Sequence, residues 1–538
     1  MNNIFLSQKN RKFWLIFLLT GLLAIIAGLL FSNPIPLMSS NGCGSTSGGP
    51  TDNPITTKYG DSVYSWTQEI KWNCVYNIKD FPGSAVDDQF IAARDTAAKN
   101  GGGVVYFPGG IYNFKEGIKL KNGVVIRGEN PQVTDAKSDN YTLLSQLVFP
   151  KYEPILSGNG TPNDTAFKNI STTNPDQDSN IGVVNLDINR GAISLLGNLN
   201  QETSKNIVIF GDRSNNVALP DPKIPADFQP KWVRYSYRFA ANIEVNGQEN
   251  VLVANNRVND NITDNYEQPG YQVKSRKKGE QIITYTEGWK VPFHYGNHYG
   301  IVVNRSKPDG FQIGAIPETE PGLFRKGIVI RDNWVYHTMR VAIIGSGDGL
   351  IIKDNIVKDE NGKQWWTDPT GTQQIHGATT LENRAIDWSG WNVIIEGNNY
   401  QVFRHKIADT IYLSVDGEGI LIQECCGGTI VNGAKIIKNQ GNAYLGLYKV
   451  QDMKNVEITE NVVDKIFVSA DRNKAPHKMD NVKIENNQVE TDIIARASLG
   501  GNGNTIKNNV GGGQGKIKYS CHIQVEGNTG FTNEPCFN

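Results

Sequence analysis

A surplus of charge of either sign is missing from this chain. Its 53 Lys and Arg stand against 54 Asp and Glu, a net charge of −1 over 538 residues. No global field therefore draws it to nucleic acid or to an anionic membrane surface, and any recognition by charge has to be local. A helical repeat is lacking too. The windows that recur are β-branched, alternate with period two and are broken by Gly and Asn, which argues against a stack of helix pairs. Cysteine is sparse, at six: Cys43, Cys74, Cys425, Cys426, Cys521 and Cys536. That number suits an exported protein but leaves the connectivity open. Cys521 and Cys536 are placed to staple the C-terminal end, whereas the adjacent Cys425 and Cys426 read as buried thiols.

What the chain has instead is asparagine in a fixed setting. Asn recurs beside the same short apolar pattern at 333, 355, 439, 461, 487, 509 and 528, and the steps 333 to 355, 439 to 461 and 487 to 509 are each 22 residues. Gly327-Ile328-Val329-Ile330-Arg331-Asp332-Asn333 and Asn455-Val456-Glu457-Ile458-Thr459-Glu460-Asn461 are two copies of it. Two apolar residues two apart, then a polar pair and Asn, describe a short strand closing in a turn. Asn has two uses at such a corner: it enters the left-handed backbone region cheaply, and its amide can bond to the coils above and below. Weaker copies end at Asn256 and Asn398, and the longer steps of 43 (355 to 398) and 41 (398 to 439) are either two coils or one coil with an insertion. Strands of successive coils would lie about 4.8 Å apart and bury one file of Val, Ile and Leu. The pattern predicts an all-β fold, a single-stranded right-handed parallel β-helix, within one domain over 58–538.

Ahead of it, residues Phe13 to Phe31 carry no charge and follow Lys9, Arg11 and Lys12. At ~1.5 Å per residue such a helix is about 28 Å long, close to the hydrocarbon thickness of a bilayer. The basic flank places the N-terminus in the cytoplasm and everything after Phe31 outside it. Residues 1–31 read as an uncleaved signal anchor, with a removed signal peptide as the alternative, so the protein is expected to be membrane-anchored or secreted. Residues 32–57, rich in Pro, Ser, Gly and Asn, read as a flexible linker.

Between the linker and the repeats lies Val75-Tyr-Asn-Ile-Lys-Asp-Phe-Pro-Gly-Ser-Ala-Val-Asp87-Asp88, running on through Gly101-Gly-Gly-Val-Val-Tyr-Phe-Pro108-Gly-Gly-Ile-Tyr112. It reads as strand, helix, strand, with Asp87 or Asp88 capping a helix that presents Phe90, Ile91 and Ala97 or Ala98 on one face. Gly101 to Gly103 end that helix. This block closely resembles the N-terminal signature of the pectate lyase-like superfamily, in the form shared by bacterial and phage polysaccharide-degrading β-helix proteins. The likeness covers about 55 residues, continuing through Asn122-Gly-Val-Val-Ile-Arg-Gly128, and departs where Pro82-Gly-Ser-Ala-Val86 replaces the usual Gly-Asp-Gly. It implies a capping helix at the N-terminal end and a structural role for the Asp pair.

Architecture alone selects no reaction. Motifs of polygalacturonases, pectate lyases and the epimerases are absent from the coils, so the candidates follow from position. Arg340, Arg384 and Arg404 fall near the start of the second strand after a corner, Arg384 aligning with Arg340 if 358–382 is an inserted loop. Stacked guanidiniums need neutralising anions, so a file of Arg beside Asp387, Asp416, Glu418 and Trp388 would form a groove for an acidic glycan. Hydrolysis needs two carboxylic residues, for which Asp387 with Asp416 or Glu418 stand; a lyase would use Arg340, Arg384 and His337 or His405. Trp365 and Trp366 lie in the insertion amid polar residues and are expected to stack on sugar. Other aromatics, among them Trp232, Trp289 and Tyr299, divide between sugar stacking and satellite packing on the solenoid flank. The spacing of His294 and His298 fits a metal only on a helix, which Tyr-Gly-Asn between them argues against. Asp176 and Asp178 offer oxygens suited to Ca²⁺ but lack the Gly and terminal Glu of a recognised loop. No metal ligand is assigned. The expected protein is extracytoplasmic, binds a polysaccharide and cleaves it by lysis or hydrolysis; the alternative is a non-catalytic surface scaffold or adhesin.

Overall fold

The computed structural model describes residues 43, 48–150, 169–175, 177–197, 204–215, 241–259, 299–304, 325–336, 341–358, 384–402, 418–422, 430–448, 450–470 and 476–537, with the backbone alone of short strands between 267 and 375. The chain divides into a unit over 1–46 and a unit over 47–538, and the β-helix lies within the second. The apolar run at 13–31 falls outside the described residues, among which no helix is long and apolar enough to cross a membrane. The stretch read as linker carries a helix. Helix α1, Pro54–Tyr59, starts there with the Asn53 side chain accepting from Ile55 N.

The coils follow one plan. A strand runs into the Asn corner, a short strand leaves it, and a third strand completes the turn, each pairing in parallel with its equivalent in the next coil. Thus Ile328–Arg331 pairs with Ile351–Lys353, Trp334–Tyr336 with Ile356–Lys358, and Tyr299–Val303 with Val341–Asp348. The chain is a single-stranded right-handed parallel β-helix, as the periodicity predicts. Inside it, in-register residues such as Val253, Ile330, Ile352, Ile395, Ile436 and Ile458 form an unbroken buried file.

The corner asparagines form one column. Asn333 N and Nδ2 donate to Asn355 Oδ1 at 3.0 and 2.9 Å, while Nδ2 also donates to Val253 O at 2.9 Å. The same bonds join Asn256 to Asn333, Asn355 to Asn398, Asn398 to Asn439, and on through Asn461, Asn487 and Asn509 to Asn528. The steps of 43 and 41 are therefore single coils that carry insertions. The left-handed residue is the one before each ladder Asn: Asp332, Asp354, Lys438, Glu460, Asn486 and Asn508 have φ between 53° and 57°. Thus the turn and the ladder bonding, both expected of one Asn, are divided between neighbours. The preceding residue turns the chain, and the Asn points inward to bond.

Helix α2, Val86–Lys99, differs from expectation in its start and its face. Ala85 occupies the N-cap without a side-chain bond, and Asp87 instead accepts from Lys115 N and Glu116 N, tying the first helical turn to the first coil. The helix buries Phe90, Ala93 and Ala97, with Phe90 against Phe107 and Phe114 at ring centroid distances of 6.4 and 6.1 Å, while Ile91 is exposed. Cys521 and Cys536 form the predicted C-terminal disulfide. Cys425 and Cys426 lie outside the described residues.

Candidate functional site

The strand Arg384–Glu396 and its neighbours bring three of the predicted residues together. Val341, Arg384, Glu418 and Tyr444 are in register on successive coils, and Asp387 sits between Ile344 and Leu421. Arg384 Nε donates to Glu418 Oε2, and its Nη1 lies 3.3 Å from Asp387 Oδ2. Tyr444 and Tyr448 donate their hydroxyls to Glu418 Oε1 at 2.8 and 3.3 Å. The side chains of Asp387, Glu418 and Arg384 are 0%, 5% and 13% exposed, so one guanidinium is shared by two buried carboxylates.

Burial pushes the Glu418 carboxyl above its usual range; Arg384 and Tyr444 oppose that, and the charge of Asp387 adds to it. Tyr448 is pushed up to about 12 by burial and by the Glu418 charge. Tyr444 is raised further for the same two reasons, so both phenols stay protonated and act as donors. A carboxyl whose pKa is raised beside a second carboxylate is the arrangement of a general acid with a base or nucleophile.

The register corrects the arginine file. Arg384 pairs with Val341, one residue past Arg340, and its neighbour on the next coil is Glu418. Along this file the guanidinium meets a carboxylate, so the like-charge stack that implied an acidic glycan is not what surrounds Arg384. Trp388 is also placed differently from expectation. It is fully buried, in register with Gly345 and Ile422, at a position facing the interior residues Ile330, Leu350 and Ile352, so its indole offers no face to a sugar. Arg340, Arg404, Asp416, His337, His405, His294, His298 and Trp365 lie outside the described residues. Trp366 falls in a short strand, Trp366–Thr367, that pairs antiparallel with Gln374–Ile375, a hairpin within the insertion. Tyr299 is buried with Ala241, Val302, Val341 and Ile344, in agreement with satellite packing. Asp178 accepts from Thr173 Oγ1 and Asn174 N at 3.0 and 2.6 Å, the bonding of a turn, and Asp176 is outside the described residues. Among the described residues no group of three or more His, Cys, Asp or Glu could hold a metal ion.

Tyr444 and Tyr448 were not legible from sequence. Arg384 lies 14 residues before Asn398, Glu418 21 before Asn439 and Tyr444 17 before Asn461, because the turns between strands differ in length. Counting back from the ladder therefore does not align them.

No family model and no curated protein matches this chain. Among solved structures it is similar to the A-module of a mannuronan C-5 epimerase of Azotobacter vinelandii, at 14% identity over 86% of this chain and 99% of that one, with a TM-score of 0.39. It is also similar to PfbA, a surface adhesin of Streptococcus pneumoniae, at 13% identity over 86% and 93%, with a TM-score of 0.43. A third is the tailspike protein of E. coli bacteriophage HK620, at 12% identity over 85% and 76%, with a TM-score of 0.40. The fold assignment stands on the parallel ladders of the chain itself.

Proposed function

We propose that the protein binds a polysaccharide along the sheet face that carries Arg384, Asp387, Glu418 and Tyr444, and hydrolyses it there. The observation that carries this reading is Glu418: a buried carboxyl with its pKa raised, joined through Arg384 to a second carboxylate. In this role Glu418 gives its proton to the glycosidic oxygen as the C–O bond breaks. Asp387, held beside it by the same guanidinium, supplies the second carboxylate, as base to a water or as nucleophile, and the water ends as the new hydroxyl. Arg384 holds both carboxyls in place and Tyr444 orients Glu418. Hydrolysis gains over lysis because the phenols are held protonated and Arg384 is engaged by carboxylates, which leaves neither as the base at C5 of a uronate. Because Arg384 is neutralised within the protein, the glycan is not required to be acidic. An extracytoplasmic setting, by anchor or secretion, is part of the same proposal and rests on the run Phe13 to Phe31.

The full chain is tested on a panel of neutral and uronate polysaccharides. New reducing ends without unsaturated products are expected, falling at least about 100-fold in Glu418→Gln and Asp387→Asn, within the range general acid–base catalysis supplies. Activity should decline as pH rises through the raised pKa of Glu418, since the acid form is the working one. Unsaturated products would make the enzyme a lyase. The second reading, a non-catalytic scaffold, is favoured by the complete burial of Asp387; glycan retention with no products from any substrate would establish it.

A further inference from the structure

The ladder of corner side chains does not begin with asparagine. One coil before Asn256 its place is taken by Asp212, which is fully buried and follows Gly211, the left-handed residue of that corner with φ of 71°. In its backbone Asp212 is an ordinary rung: its N–H donates to Asn256 Oδ1 at 2.9 Å, and Asn256 Nδ2 donates to Ile209 O at 3.0 Å. Its Oδ1 accepts from Leu186 N at 2.8 Å, as each Asn Oδ1 accepts from the rung before. The difference is the other side-chain atom. In the asparagine rungs that atom is Nδ2, which gives one hydrogen to the next Oδ1 and another to a carbonyl of the preceding coil. At Asp212 it is Oδ2, which has no hydrogen-bond partner. By the repeat of the ladder it faces two acceptors, Asn256 Oδ1 and a carbonyl. An ionised carboxylate would set its lone pairs against both in a site closed to water, whereas a neutral acid carries an O–H where a donor is needed.

The groups around it do not supply a counter-charge. Tyr141 donates its hydroxyl to Gly211 O, Arg213 Nη2 donates to Tyr141 O at 2.8 Å, and Arg257 Nη1 donates to Ser138 O at 3.1 Å. Asp187 accepts from Gln146 Nε2 and Asn215 Nδ2 at 3.0 and 2.8 Å. Burial drives the Asp212 carboxyl well above its ordinary range and outweighs the backbone hydrogen bonding at Leu186 and Phe210 that opposes it.

We propose that Asp212 is held as a neutral carboxylic acid that donates its Oδ2 proton into the ladder, making the head of the asparagine column a proton-dependent latch on the first coils. The sign follows from linkage. The unfolded side chain ionises near pH ~3.9 while the folded one keeps its proton, so folding takes up a proton above that pH. The latch is complete in acid and weakens by up to about tenfold in the folding equilibrium per pH unit, until pH reaches the folded pKa.

The test compares the full chain with Asp212→Asn by thermal melting from about pH 4 to about pH 9 and by infrared spectroscopy. The variant should melt higher, with a gap that widens as pH rises and closes toward pH 4, and it should lack a neutral carboxylic acid band present in the parent. A gap independent of pH, or no such band, overturns the proposal. If the variant does not fold, hydrogen exchange on the parent decides. Protection of the Leu186 and Asp212 amides should fall with pH relative to Asn461 and Asn487; parallel behaviour of the two pairs would end the idea.

Discussion

The outward-facing file of the sheet that enters the Asn corner is built in two opposite ways along the same solenoid. In the early coils it is apolar: Val104, Val125, Gly182, Val208, Leu252, Val329 and Ile351 follow one another in register. After Ile394 it turns to Lys435, Glu457, Lys483 and Thr505. The difference matches what lies on top. Residues 54–72 form a strap over the early coils, where Ile55, Ile70 and Trp72 pack on Val104, Val125, Val208, Leu252 and Val329. Polar bonds pin the strap down along its length: Lys58 Nζ to Asn255 Oδ1 at 2.7 Å, Tyr59 to Asp332 Oδ2 at 3.0 Å, and Asn206 Nδ2 to Glu69 Oε2 at 2.9 Å. Buried Arg127 lies under it, against the Trp72 ring and paired with Asp52. A coil thus dictates only its inner file; the outer file follows from the segment that covers it.

The sharpest way to break this comparison is to exchange the two kinds of file. Val329→Lys places an ammonium beneath the strap with no partner built for it, and should cost on the order of 4 kcal/mol in denaturant unfolding. A cost under about 1 kcal/mol would mean that the strap lifts readily and is not part of the core.

The ladder separates interior from end in the same manner. Asn461→Ala removes the acceptor for Asn439 N and Nδ2 and the donor to Ile436 O and Asn487 Oδ1, all buried. About 3 kcal/mol is expected, because each buried group left unmade retains its desolvation penalty. Asn528→Ala removes the acceptor for Asn509 N and Nδ2 and the donor to Ile506 O and Glu526 O, bonds that are part-buried or exposed, and should cost about 1 kcal/mol, water replacing what is lost. Equal costs would show that the column acts as one cooperative unit from end to end.

These contrasts also explain what the sequence made legible. The inner file and the ladder recur along the coils, so period two and the corner Asn revealed the fold and the repeat. The strap does not recur. Pro54 to Trp72 carries no periodic signal, and its apolar residues acquire meaning only against Val208 or Leu252, more than a hundred positions away. The candidate site suffers from the same limit. Arg384, Asp387 and Glu418 were found from their position near the start of the second strand after a corner, but their partnership, and the addition of Tyr444 and Tyr448, depends on insertions that shift register by different amounts. Trp388 was misplaced because it was grouped with Arg384 and Asp387 by nearness in sequence, whereas its indole lies on the buried interior side.

The smallest effect probes the solvated half. Lys435 Nζ and Glu457 Oε2 are 3.9 Å apart, with side chains 61% and 45% exposed. Water screens such a pair, and two long side chains lose freedom by holding it, so Lys435→Val should change stability by no more than about 0.5 kcal/mol and Glu457→Ala by as little. Raising salt should erase what remains, since the pair lies open to counterions. Val is the commonest residue at this position in the early coils, and there its replacement by Lys is expected to be costly. If Lys435→Val instead stabilises the chain well beyond that bound, the late outer file already has an apolar cover, and the contrast between the two halves reduces to their charge alone.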